Sequence, residues 1–237
     1  MLTQNVIFEG LKKLISKKKI ISISGASGLG KTTLAQYLIG KLLINSRTQD
    51  YCSIWIQASE AFSRKRLSKI FEKKPVELEY IKNNVYIIPS KKPCVSYLEQ
   101  NSVLKSIWCK DSIFSPDLRF IVIDNISHHL RYELSISQNI ESTVSSINTF
   151  FDQQLHPLIM FCEREDITLF LIHEVTYDPI HDRLAPFCYK LYDRINSLDI
   201  ILKKEDITQE KTMEINYDDL NWAFKYFLVD HGLKFKF

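Results

Sequence analysis

Residues Gly25-Ala26-Ser27-Gly28-Leu29-Gly30-Lys31-Thr32 fit the pattern G-x-x-x-x-G-K-[ST]. A loop this rich in small residues wraps closely and aims successive backbone N–H groups at an anion. The lysine suits β- and γ-phosphate oxygens, and the Thr32 hydroxyl suits Mg²⁺. The candidate nucleotide-binding set is therefore Gly25, Ala26, Ser27, Gly28, Leu29, Gly30, Lys31, Thr32 and Thr33. A second signal is Arg119-Phe-Ile-Val-Ile-Asp124, an apolar run ending in a carboxylate. Such a carboxylate holds Mg²⁺ through water, which makes Thr32 and Asp124 the candidate metal residues. The implied cofactors are ATP and Mg²⁺.

These residues need elements to place them. Short apolar runs at 20–24, 53–57, 85–88, 119–123 and 167–172 read as strands covered on both faces. Helical patterns lie near 32–44, 63–72, 96–109 and 140–164, the last interrupted by Pro157, so two helices or a kink are expected there. Alternation of this kind predicts an α/β fold with a mostly parallel twisted sheet between helices. From 198 the pattern changes. Segments 198–203, 211–216 and 222–229 are joined by short polar turns, and they predict antiparallel strands at the C-terminus. Residues 1–19 hold one amphipathic helix candidate, with Val6, Leu11, Leu14 and Ile15 on one side. A single domain over 1–237 is expected. Two strands intervene between the loop strand and the Asp124 strand, which suits the P-loop ATPases, where a further strand separates the two in space.

Composition adds exclusions. The chain is 45% hydrophobic and 25% charged, ordinary for a globular protein. A net charge of +3 is too small a bias to indicate a nucleic-acid or membrane partner. Three of only 6 glycines fall in the loop, which excludes collagen-like and linker-like classes. Cys52, Cys94, Cys109, Cys162 and Cys188 show no zinc-ligand spacing and read as reduced thiols. No apolar run reaches the length of a membrane span and no signal peptide is evident, so a cytoplasmic protein is expected.

The order and spacing of these segments resemble the RecA/RadA recombinase superfamily, most closely its small archaeal RadB-type members. "SIWIQASEAFSRKRLSKI" (53–70) resembles the family's strand-turn-helix that carries the catalytic glutamate. "FIVIDNISHHLRYEL" (120–134), "LFLIHEVTYDP" (169–179) and "WAFKYFLVDHGLKF" (222–235) resemble its Walker B region, its sensor strand and its closing strand pair. The resemblance implies a RecA-like P-loop ATPase core, with Lys31, Glu60 and Glu174 as the candidate catalytic residues. The departures imply altered chemistry. The family's catalytic glutamate position falls on Ser59, with Glu60 one residue late, where a strand end can turn it away from the attacking water. The γ-phosphate-sensing glutamine falls on Glu174, and its asparagine neighbour on His173. A carboxylate there repels a γ-phosphate unless protonated or metal-bound. Nucleotide binding with weak or absent hydrolysis is expected.

The same resemblance frames the partners. No phenylalanine is followed by alanine three residues on, so the family's F-x-x-A self-assembly segment is missing and no long self-filament is expected. The family's DNA loops correspond to 125–138, with His128, His129 and Arg131, and to 174–194, with His181, Arg183, Lys190 and Arg194; neither is a basic stripe. Phe187, Tyr189 and Tyr192 suit core packing better than base stacking. Lys12, Lys13, Lys17–Lys19 and Arg64–Arg66 are the concentrated positive charge. DNA is thus a weak, salt-dependent candidate partner, beside a recombinase or another protein. The functional readings are an accessory factor in homologous recombination and DNA repair, an adaptor that binds a protein partner, or a KaiC-like signalling ATPase. His128 and His129 lack a third ligand for a metal.

Overall fold

The computed structural model describes residues 4–109, 115–137, 139–180, 182–192, 195–205 and 210–236. The order is α1 (Gln4–Ile15), β1 (Ile20–Gly25), α2 (Lys31–Asn45), β2 (Cys52–Gln57), α3 (Arg64–Ile70), α4 (Pro75–Asn84), β3 (Val85–Ile88) and α5 (Tyr97–Trp108). Then come β4 (Leu118–Asp124), α6 (His128–Ile136), α7 (Ile140–Phe150), α8 (His156–Arg164) and β5 (Thr168–His173). The chain continues with β6 (Val175–Asp178), β7 (Arg183–Pro186), α9 (Tyr189–Tyr192), β8 (Ser197–Lys204), β9 (Lys211–Tyr217), β10 (Leu220–Val229) and β11 (Gly232–Phe235).

Nine strands form one sheet in the order β11-β10-β9-β8-β1-β5-β4-β2-β3. Pairing is parallel from β8 through β1, β5, β4 and β2 to β3, and antiparallel from β8 to β11. This is the α/β class read from the sequence: a P-loop NTPase core whose mostly parallel sheet ends in antiparallel strands. β5 lies between β1 and β4, as the strand count anticipates.

The period-two alternation of strand side chains sorts the core into two layers. Ile21, Ile23, Trp55, Phe120, Val122, Phe170 and Ile172 pack with α1, α2, α3 and α4 on one face. Ile54, Ile56, Ile121, Ile123, Leu169 and Leu171 pack with α5, α6, α7, α8 and α9 on the other. The same alternation puts Asp124 on the face of Phe120 and Val122, toward α2.

Pro157 acts as expected. A π-helical turn, Phe151–Leu155, joins α7 to α8, because proline in a helix interior has no N–H to donate and crowds the preceding turn. The periodicity did not register α4, α6, α9 or the β6–β7 hairpin. The polar segment after β8 falls partly on 206–209, outside the described residues. Among the described residues, no helix is long and apolar enough to cross a membrane. All five cysteines are free thiols.

Gly40 lies inside α2, and its α-carbon face receives the buried Phe71 ring. A Cβ there would stand 2.5 Å from Phe71 Cζ and 3.0 Å from Ile81 Cδ1. Overpacking of this kind outweighs the better helix propensity of the new residue. Gly40→Leu should lower the urea unfolding free energy by about 2–3 kcal/mol; an unchanged unfolding midpoint would contradict this packing.

Candidate nucleotide site

The phosphate loop leaves the sheet at Gly25, whose φ is +155°. A Cβ there would lie 2.6 Å from the Leu202 carbonyl of neighbouring β8, so a side chain is excluded by both conformation and space. Gly30 caps α2 in the left-handed region at φ +93°, with Leu228 of β10 packed against it. The loop is thus held between β1, α2 and the C-terminal strands.

Lys31 folds over the loop, and its Nζ donates to the carbonyls of Gly25 (2.8 Å) and Ala26 (3.1 Å). Burial pulls its ammonium below the usual value, against the opposing pull of Asp124, Glu174 and Glu60. Thr32 Oγ1 donates to Asp124 Oδ2 at 2.9 Å, which brings the two candidate metal residues together. Asp124 is 3% exposed. Burial pushes its carboxyl up to about 6 and Glu60 adds to the rise, while the Thr32 hydrogen bond, Lys31 and Arg66 oppose it.

The turn after β2 is built by side chains. Gln57 donates to the Pro89 carbonyl and accepts from the Phe62 N–H, both at 2.6 Å. The Ala58 and Ser59 N–H groups donate to the Asp124 carbonyl, and Ser59 Oγ accepts from the Asn125 N–H. The turn occupies Ser59 with the backbone and leaves Glu60 exposed at the cleft wall, despite its one-residue offset.

Glu174 is ion-paired. Arg131 Nη1 lies 2.9 Å from Glu174 Oε2, Asn125 Nδ2 donates to Oε1 at 3.2 Å, and His128 Nδ1 lies 3.4 Å from the same oxygen. Ser127 Oγ accepts from the Glu174 N–H while donating to Asn125 Oδ1. Arg131 also donates to the Val175 carbonyl at 2.7 Å and lies over the Phe187 ring. The repulsion expected at this position is offset by the Arg131 guanidinium, from the segment that resembles a DNA loop.

His173 follows a different course. It is fully buried, with its ring edge-on to Tyr192, and burial pulls its imidazole down to about 3. Neither ring nitrogen has a hydrogen-bond partner. It is therefore a neutral core residue under the site.

The resulting cleft, of ≈ 860 Å³, is lined by the loop, Thr32, Thr33, Glu60, Asp124, Asn125, Arg131 and Glu174. Lys65, Arg66 and Lys69 of α3 and Leu228–Asp230 of β10 and its tip complete the wall. A hydroxyl beside a carboxylate supplies the hard oxygen donors Mg²⁺ prefers. The ammonium rests on neutral carbonyls, to which phosphate oxygens are superior acceptors. The donor set fits a nucleotide with Mg²⁺.

Fold and site together define a P-loop NTPase. The NB-ARC domain model, a P-loop NTPase domain of STAND/AAA+ type, matches residues 4–104. The match takes in the phosphate loop, β2 and β3 and ends before Asp124. No curated protein matches the chain.

One expectation is corrected, and the other singled-out residues find their places. The segment 125–138 is not an open loop, since His128–Ile136 is helical. His129 is buried and bonded to the Ala58 and Cys94 carbonyls, and no cluster of three potential metal ligands occurs among the described residues. Tyr192 is buried and Tyr189 bonds Asp178, in keeping with core packing. His181, Asp193 and Arg194 lie outside the described residues. Within the basic cluster, Lys18 and Lys19 pair with Asp218 and Asp166, and Lys65 and Arg66 line the cleft.

The sign of the Asp124 perturbation sets a pH dependence. Its proton is held more tightly in the folded than in the unfolded state, so unliganded stability falls as pH rises from about 4 to about 6. Metal needs the ionised form. Mg²⁺-dependent nucleotide affinity should rise through pH 6 and be about tenfold weaker at pH 5 than on its plateau. Asp124→Asn should remove that dependence and raise the unliganded Tm at pH 7.5. Calorimetry across pH 5–8 checks both, and an identical profile in the variant would refute the assignment.

Proposed function

We propose that this chain is an ATP–Mg²⁺-binding accessory factor of the recombinase-paralogue kind, acting in homologous recombination and DNA repair with weak or absent hydrolysis. The observation that carries the binding half is the Thr32–Asp124 hydrogen bond beneath Lys31. In this reading Lys31 and the loop N–H groups hold the β- and γ-phosphates, and Thr32 and Asp124 hold Mg²⁺. Glu60 is the candidate base at the cleft wall. Glu174, tied to Arg131, Asn125 and His128, is a poor group to realign around an attacking water. The recombinase part is supported by the order of motifs along the chain and by a sheet that runs β3-β2-β4-β5-β1-β8 before its antiparallel strands. A protein partner, and DNA held weakly and salt-dependently, belong to this reading.

The NB-ARC match favours a second reading, because it links residues 4–104 to a family outside the recombinases. In it the chain is an adaptor whose nucleotide stabilises a surface for a protein partner. Co-purification with a recombinase, and DNA affinity that collapses between low and high salt, separate the two.

Isothermal titration with Mg²⁺–ATP should show binding that Lys31→Ala weakens about 10- to 100-fold, the loss of charge-assisted hydrogen bonds. Steady-state turnover should be on the order of 10⁻³ s⁻¹ or lower, as in P-loop sites without a catalytic cation. Rapid turnover abolished by Glu60→Gln would reject the weak-hydrolysis proposal.

A further inference from the structure

A side-chain hydrogen bond joins the phosphate loop to β10. Tyr226, at the middle of β10, donates its hydroxyl to the Leu29 carbonyl at 2.8 Å. The two residues are 197 apart in sequence. Tyr226 is 2% exposed and Leu29 is 4% exposed, so both ends of this bond are out of water. Along the inward side of β10 the neighbours Phe224 and Leu228 are apolar and pack in the same core layer. A phenyl ring at 226 would fill that layer equally well. The hydroxyl therefore does something packing does not require.

The peptide between Leu29 and Gly30 explains what. It is a rigid plane, and in a trans peptide the carbonyl and the N–H point in opposite directions. Leu29 faces the core, while Gly30 lines the cleft. A carbonyl drawn inward to Tyr226 leaves the Gly30 N–H turned toward the cleft. Glycine makes the alternative accessible, because Gly30 tolerates either sign of φ and the peptide plane can rotate about it. A rotated peptide would present an oxygen, not a donor, to a bound phosphate.

We propose that Tyr226 is a positioning residue, which sets the 29–30 peptide of the phosphate loop so that the Gly30 N–H serves as a phosphate donor. This rests on the nucleotide-binding reading above and specifies how one residue regulates the shape of that same site. Burial raises the tyrosine hydroxyl above its usual range, so it stays a donor throughout ordinary pH. Leu228, packed on Gly30 two residues along the strand from Tyr226, restricts the same turn sterically.

The test is Tyr226→Phe, which removes the hydroxyl and keeps the ring. Affinities for Mg²⁺–ATP and for Mg²⁺–tripolyphosphate, which probes the cradle without a base, are measured by calorimetry well below the Tm. Loss of a buried hydrogen bond that orients a phosphate donor should weaken both ligands by a similar factor, about five- to twentyfold. Hydrogen–deuterium exchange should rise in 26–31 of the unliganded variant. A merely structural role would lower the Tm and leave both affinities within twofold of wild type, and that result overturns the proposal. So does a loss confined to ATP, which would place the effect at the base. If Tyr226→Phe fails to fold, Tyr226→Met, also without a donor, is read the same way. Wild-type protein showing no Lys31-dependent binding would overturn the nucleotide reading and this inference together; normal wild-type binding with an unaffected variant overturns the inference alone.

Discussion

An ionised carboxylate taken out of water costs several kcal/mol unless its surroundings compensate, and Asp124 is almost fully withdrawn from solvent. The compensation is specific. Thr32 donates to it directly, and Lys31 and Arg66 act on it through space. These groups come from the phosphate loop and from α3, so the carboxylate is tolerable only when both are in place. Its own backbone carbonyl binds the Ala58 and Ser59 N–H groups and thereby shapes the turn that carries Glu60. Side chain and main chain of one residue thus fix the cleft from two sides. Burial still holds its carboxyl above the usual range, so the compensation is incomplete. A divalent cation is the natural remedy, and strain of this sort at a binding site is the usual exchange of stability for affinity.

A second acid enters the same cleft by a different route. Glu174 stands between β5 and the β6–β7 hairpin, and it lines the same cleft as Lys31. Arg131 neutralises it and reaches on to the Val175 carbonyl and the Phe187 ring. One guanidinium therefore ties α6, which follows Asp124, to the hairpin. Such a partly exposed pair is worth little for stability by itself. Its effect is geometric: it spends the fork of Arg131 on protein acceptors and fixes the carboxylate.

The parts legible in the sequence were those set by local chemistry. The glycine-rich loop, Lys31, Thr32 and Asp124 are adjacent to the elements that place them, and apolar strands announce themselves by continuous runs. The break between α7 and α8, a π-helical turn before Pro157, follows from one missing N–H. What was not legible depends on contacts far apart in the chain. α6 was hidden because its sequence, HHLRYELSI, is short and follows directly on Asp124, where the family resemblance implies a loop. Arg131 looked like a DNA-loop cation because its partner, Glu174, is reached only after α7, α8 and β5. The offset of Glu60 could not be judged, since the turn is held by Gln57, a residue that reads as the end of a strand. Tyr226 carried the right alternation for an inward residue, but nothing local names an acceptor on the phosphate loop.

The antiparallel end of the sheet gives the site a mechanical closure. β8 continues the parallel core beside β1, and β9 and β10 return the chain to the loop, where Tyr226 and Leu228 meet Leu29 and Gly30. The tip beyond β10 then reaches α3: Lys69 pairs with Asp230 at 2.9 Å, and His231 Nδ1 lies 3.2 Å from the Lys69 carbonyl. The cleft wall is consequently assembled from residues near 25–33, 60–69, 124–131, 174 and 228–230. No subset of strands contains it. A ligand that binds only the assembled cleft stabilises the native state by RT ln(1 + [L]/Kd), and here that free energy is delivered to the whole sheet, not to one loop. Nucleotide occupancy and the integrity of the C-terminal strands are for this reason thermodynamically linked.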